Sequence, residues 1–141
     1  MEAMINILLA DDDIDEHLFF REALNKVNLV GHNIVSVYDG VQLLDYLQRK
    51  GLYKYSKSPL PDIIILDLNM PIMDGIQTVK EIKALEEFRN IPIYVLSHSA
   101  TVTQANTCRV LGCSGFFEKP SKNDKLARIL ETILEKEASN I

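Results

Sequence analysis

The sequence predicts an α/β domain in which five strands alternate with five helices, a doubly wound (βα)5 parallel sheet. Three observations lead there. Short apolar runs alternate five times with amphipathic stretches. The central run, Asp62 to Leu66, is nearly all apolar and β-branched, as a strand covered on both faces must be. Acidic residues follow two of the runs directly: Ile7-Leu8-Leu9-Ala10 leads into Asp11-Asp12-Asp13, and Ile63-Ile64-Ile65-Leu66 into Asp67. Strands separated by helical crossovers pair in parallel, with helices on both faces and right-handed connections. In such sheets ligands bind at the carboxyl ends of the strands.

The strands are expected at about 5–10, 33–37, 62–67, 92–97 and 115–118. The first helix, over 14–27, places Leu18, Phe19 and Ala23 on one side, and Asp13 stands where its N-cap belongs. The second, over 40–50, repeats Val41, Leu44 and Leu47. The third, over 76–86, repeats Ile76, Val79, Ile82 and Leu85, with Asp74 before the turn or as its cap. The fourth, over 101–111, is weaker, carrying Val102, Ala105 and Cys108. The fifth, over 122–137, shows Leu126, Ile129, Leu130, Ile133 and Leu134 near the 3.6-residue period. Ser121 and Asp124 read as a capping box opening it. Residues 51–61 are punctuated by Gly51, Pro59 and Pro61 and read as a loop longer than usual. With Lys50, Lys54 and Lys57 it is a solvated loop or, as the alternative, a docking surface. Glu137 to Ile141 are expected to fray.

A chain of 141 residues fits one domain, with a core that buries roughly two thirds of the unfolded surface. A net charge of −5 argues against a general nucleic-acid binder, which needs a basic face. The start MEAMINILLA has neither a basic n-region nor a long apolar h-region, and no apolar run reaches the ~20 residues of a membrane span. The expectation is a cytoplasmic protein with no membrane partner. Cys108 and Cys113 are the two cysteines and read as reduced, partly buried residues, since no further Cys or His stands at metal-ligand spacing.

The two acidic strand ends carry the chemistry. Like charges about 4 Å apart cost roughly 4 kcal/mol at an effective dielectric of about 20. A protein seldom keeps such a cluster unless a cation sits in it or one acid stays protonated. After Asp67 comes Asp67-Leu68-Asn69-Met70-Pro71-Ile72-Met73-Asp74-Gly75; Ser97 ends the fourth strand in IYVLSHSA; Lys119-Pro120 ends the fifth in GFFEKP. Taken together and in this order, these residues resemble the receiver domain of bacterial response regulators over essentially the whole chain. The long 51–61 loop and the lack of an output segment look most like stand-alone regulators, including those that partner phytochrome-type kinases. The resemblance implies a flavodoxin-like fold, strand order 2-1-3-4-5, and a single receiver domain over 1–141 without an output domain.

The resemblance also implies the roles. Asp67 is the phosphoacceptor, its carboxylate attacking a phosphoryl group carried by a kinase histidine. Mg²⁺ is the cofactor, held by Asp12, Asp67 and the backbone carbonyl of Asn69, with Asp11 acting mainly through a metal-bound water. Lys119 pairs with the phosphoryl group, and the Lys119–Pro120 bond is commonly cis in the family. Ser97 hydrogen-bonds the phosphoryl oxygen, a movement coupled to the aromatic of strand five, here Phe116, which lacks the hydroxyl of a tyrosine. Pro71 and Gly75 shape the loop beneath the site, Pro71 by fixing φ and Gly75 by permitting φ > 0. His98 departs from the small residue usual after the Ser or Thr and is read as a modulator of access to Asp67. His17 and His32 are placed on a helix surface and in a loop. The implied partners are a histidine kinase and a downstream or phosphotransfer protein, with a second copy of the chain as a further candidate, met on the face of helix four, strand five and helix five.

Two other classes compete. A flavodoxin-like cofactor binder needs a first loop that cradles phosphate, and Asp11-Asp12-Asp13 would repel it. An aspartyl-phosphate phosphatase wants a second acid two residues after the nucleophile, where this chain has Asn69. The protein is therefore expected not to be an enzyme on outside substrates. The remaining alternative is a receiver-like interaction module that is not phosphorylated.

Overall fold

The computed structural model describes residues 4–28 and 31–140. The first three residues of the N-terminal stretch read for a leader, and Ile141 of the tail, lie outside them. The described elements alternate throughout: β1 Met4–Ala10, α1 Ile14–Leu24, β2 Gly31–Val37, α2 Gly40–Gln48, β3 Ile63–Leu66, α3 Gly75–Ala84, β4 Ile93–Ser97, α4 Val102–Leu111, β5 Gly115–Glu118 and α5 Asn123–Ala138. The strands pair in parallel in the order β2-β1-β3-β4-β5. The fold class is as the sequence predicts, and the strand order is the one the family resemblance implies.

The apolar run of β3 is explained by two cores. Alternate residues of a strand face opposite ways. Ile64 and Leu66 enter one core with Leu8, Leu43, Val79, Ile82 and Val95. Ile63 and Ile65 enter the other with Ile7, Phe20, Leu24, Leu130 and Ile133. Each face of the sheet is thus sealed by helices, α2 to α4 on one side and α1 with α5 on the other. The sheet faces are closed to a ligand, and the loops at the strand ends remain open to one. No helix among the described residues is long and apolar enough to cross a membrane.

Several expectations are corrected. Helix α1 buries His17, Phe20, Ala23 and Leu24, while Leu18 is 61% exposed. The buried stripe contains a histidine, which hid it from a hydrophobic pattern. Helix α2 likewise buries Leu43, Tyr46 and Leu47 and leaves Val41 exposed. His32 lies in β2, paired with Ile5, and not in a loop. The expected capping box of α5 does not form: Lys122 is the N-cap, without a side-chain bond, and Asp124 pairs with Lys26 at 2.8 Å. Glu137 does not fray. It is buried and accepts a 2.6 Å hydrogen bond from the Tyr94 hydroxyl, tying α5 to β4. Residues 51–61 form the expected loop, which opens with one 3₁₀ turn at Gly51–Tyr53, where Tyr53 packs edge-on against Tyr46. Cys108 is buried, Cys113 half-buried, and both are free thiols.

Candidate functional site

The loops at the carboxyl ends of β1, β3, β4 and β5 bring Asp11, Asp12, Asp67, Ser97 and Lys119 to one end of the sheet. Backbone bonds fix where each strand stops: Asp67 N–H donates to Ala10 O at 3.0 Å, and Lys119 N–H to Ser97 O at 2.9 Å. Asp11 Oδ1 accepts from the Asp13 N–H at 3.0 Å, and Asp13 in turn caps α1 by accepting from Asp15 N–H at 2.9 Å. The middle acid of the triplet, Asp12, is exposed. One carboxylate oxygen from each of Asp11, Asp12 and Asp67 lies within 4.8 Å of the others.

Lys119 sits among these acids. Its Nζ donates to Asp11 Oδ2 at 2.5 Å and stands 3.6 Å from Asp67 Oδ2, with the side chains of all three nearly buried. Burial pushes the Asp67 carboxyl above its ordinary range; Lys119 pulls the other way, and the charge of Asp11 adds to the rise. Burial alone would lower the Lys119 ammonium. The Asp11 hydrogen bond and the charges of Asp11, Asp67 and Glu16 outweigh that and leave it raised. At this end of the sheet two buried oxygens have no hydrogen-bond partner, Asp67 Oδ1 and Ser97 Oγ. Orphaned buried polar atoms cost free energy and mark a place for an absent ligand or ion. A hard cation takes oxygen donors with few protein ligands, and three clustered carboxylates with an orphaned Asp67 oxygen fit that requirement.

The β3–α3 loop carries the remaining residues. Asn69 is exposed and Met70 buried. Asp74 caps α3, its Oδ1 accepting from Gln77 N–H at 2.8 Å. Gly75 is the first residue of α3 and has no left-handed φ; the residue with φ of 70° is Ile72. Gly75 is needed for its size, since a Cβ would lie 2.6 Å from both Asp67 O and Leu68 Cα. Ile72 is 83% exposed, so its side chain gains little from packing. A β-branched residue in the left-handed region is strained by roughly 1–2 kcal/mol. Ile72→Asn is therefore expected to raise the melting temperature by about 3 °C, since asparagine tolerates that conformation. A thermal melt that is unchanged or lower would show the turn to be unstrained.

No cis peptide bond occurs among the described residues, so Lys119–Pro120 is trans here, against the family habit. Phe116 is half-buried against the core on the α2–α4 side. Pro71 is exposed and its carbonyl accepts from Met73 N–H at 2.7 Å. Two residues at the site escaped the sequence reading. His17 is 3% exposed, and its Nε2–H donates to Asp11 O at 2.8 Å, holding the β1–α1 loop; this corrects its placement on the helix surface. Glu16 stands 3.1 Å from His98 and 3.8 Å from Lys119. Neither belongs to a short motif, and only the fold brings them there.

The model of the response regulator receiver domain matches residues 7–131. The chain belongs to the response regulator receiver family. Response regulator Rcp1 of Synechocystis is 36% identical over 93 residues, 66% of this chain and 61% of Rcp1. The aligned region thus spans less than two thirds of that relative. The crystal structure of the phosphorylated cyanobacterial phytochrome response regulator RcpA has a TM-score of 0.86 at 31% identity, covering 99% of this chain and 97% of RcpA. The Mn²⁺-bound form of Rcp1 has a TM-score of 0.81 at 28% identity, covering 93% and 92%. The receiver is a module of two-component signalling, and in this member the acidic cluster of Asp11, Asp12 and Asp67 could hold a metal ion.

Proposed function

We propose that this receiver is a response regulator of a phosphorelay, phosphorylated on Asp67 by a histidine kinase. The observation that carries the reading is Asp67 itself. It is buried at the end of β3, one oxygen is orphaned, and Lys119 stands 3.6 Å from the other. An Asp67 oxygen attacks phosphorus as the N–P bond of the phosphohistidine breaks. The nitrogen keeps the electron pair and takes a proton, leaving an acyl phosphate on Asp67. Both partners are anionic, so catalysis is positioning and charge neutralisation. Lys119 supplies one fixed positive charge, and the Ser97 hydroxyl one hydrogen-bond donor. Asp11, Asp12, Asp67 and the Asn69 carbonyl would hold Mg²⁺, which neutralises charge on the phosphoryl oxygens when bound. The Mn²⁺-bound Rcp1 structure and the phosphorylated RcpA structure support this reading by similarity.

The protein acts on no outside substrate; it catalyses its own phosphorylation and dephosphorylation. Its signal leaves in the cytoplasm by contacts of the α4–β5–α5 face with a downstream protein, a phosphotransfer protein or a second copy. The likeness to phytochrome response regulators favours a phytochrome-type kinase. The test is intact mass after incubation with acetyl phosphate and Mg²⁺. Wild type is expected to gain one phosphoryl group and Asp67→Asn none. No gain in wild type, with the fold intact, would favour an interaction module that is not phosphorylated.

A further inference from the structure

Glu16 lies in the first turn of α1, just beyond the end of β1, and His98 directly follows Ser97 at the end of β4. In the sheet, β3 separates β1 from β4. A contact between these two residues must therefore cross the end of β3, where Asp67 stands. The contact is made: His98 Nε2 lies 3.1 Å from Glu16 Oε1. Glu16 is held from its other side as well, its Oε2 lying 3.8 Å from Lys119 Nζ. Lys119 is itself anchored on Asp11. A chain of side chains thus runs from the buried lysine through Glu16 to the loop after β4.

We propose that Glu16 and His98 form a latch across the mouth of the phosphoacceptor site, slowing the entry of phosphodonors to Asp67. The inference rests on Asp67 being the phosphoacceptor. A donor must approach Asp67 from solvent at the end of β3, and the latch joins the start of α1 to the loop after β4 across that end. The His98 side chain is 64% exposed and that of Glu16 28%, so the pair faces water and opens readily. An exposed pair of this kind changes an equilibrium by about two- to fivefold at most. The latch is accordingly a brake. It acts more strongly on a bulky donor than on water, so it slows loading more than hydrolysis. It also has an economy of parts, because Glu16 shares Lys119 with Asp67 and needs no further anchor.

The test measures mass gain with acetyl phosphate and Mg²⁺, and mass loss after the donor is removed. In loading, the Asp67 oxygen–phosphorus bond forms as acetate departs with its electron pair. Wild type, His98→Ala, Glu16→Ala and the double variant are compared, with melting curves to verify folding. Each single substitution is expected to speed loading about two- to fivefold, with a smaller change in hydrolysis. The double variant is expected to load no faster than the faster single one, because both break one latch. His98→Gln, which keeps an N–H donor opposite Glu16, is expected to return loading toward the wild-type rate. Loading at the wild-type rate in His98→Ala, or a double effect equal to the product of the single ones, would overturn the latch. A failure of all four proteins to gain mass would overturn the Asp67 reading itself, and the latch with it.

Discussion

Lys119→Met is expected to lower the melting temperature in EDTA at neutral pH by on the order of 10 °C, the effect of about 3 kcal/mol on a domain of this size. The substitution keeps a chain of similar volume and deletes only the charge. Lys119 Nζ is the cation between Asp11, at 2.5 Å, and Asp67, at 3.6 Å, with all three side chains nearly buried. Removing one partner of a buried pair leaves the other charge uncompensated, and here it leaves two. The loss should depend on pH in a stated sense. The Asp67 carboxyl is already raised, so its ionised form costs stability, a cost absent below the ordinary carboxylate pKa and incurred as pH rises through the folded value. Without Lys119 that value rises further, so the variant deficit is largest at neutral pH and narrows on acidification. The wild-type ammonium is itself raised, so its contribution is present below the ordinary lysine pKa and lost as pH climbs through the folded one. Saturating Mg²⁺ should recover more stability in the variant than in wild type, since a cation replaces the missing charge. Equal melting of the two proteins in EDTA would show that Lys119 does not hold the acids together.

The same cluster shows what a single sequence reveals. Asp11, Asp12, Asp67, Ser97 and Lys119 are each legible because each stands at or just past the end of a strand, and the parallel topology puts those strand ends on one edge. The β3 run was legible because burial on both faces leaves no room for alternation. Asp13 and Asp74 were legible as caps because their function is local. What failed was non-local. Asp124 pairs in the sequence pattern with Ser121, three residues before it, but its partner is Lys26, 98 residues away. Glu137 reads as tail, but the Tyr94 hydroxyl of β4 reaches it from the sheet face that α5 covers. A histidine breaks an apolar stripe, so the pattern of α1 places His17 toward solvent. Its ring in fact faces Tyr38 and the Asp11 carbonyl. Glu16 has no signal of its own, and its meaning comes from the β1-β3-β4 strand order.

Gly75 is required for its lack of a side chain and not for a left-handed φ, a distinction that substitution tests. Its backbone is helical, so a left-handed φ plays no part. Alanine is favoured over glycine inside a helix by about 1 kcal/mol, and that preference alone would make Gly75→Ala stabilising. Space decides otherwise. The added Cβ would meet Asp67 O and Leu68 Cα at 2.6 Å and Leu66 Cδ1 at 3.0 Å. Two of these atoms are backbone and cannot rotate aside. Overpacking of this kind costs about 3 kcal/mol, more than the propensity gain returns. The net effect is a fall in melting temperature of roughly 7 °C. The displaced atoms belong to the turn that carries Asp67, and the Gly75 N–H bond to Leu68 O at 2.8 Å ties the start of α3 to it. A shift there moves the nucleophile relative to Lys119 and Ser97. Misplacement by about 1 Å can cost a hundredfold, so loading by acetyl phosphate should fall at least about tenfold in the folded variant. Gly75→Ser should behave as badly, since its Cβ occupies the same space. A Gly75→Ala protein that melts at or above wild type and loads normally would show that the loop has slack, and that the glycine is there for another reason.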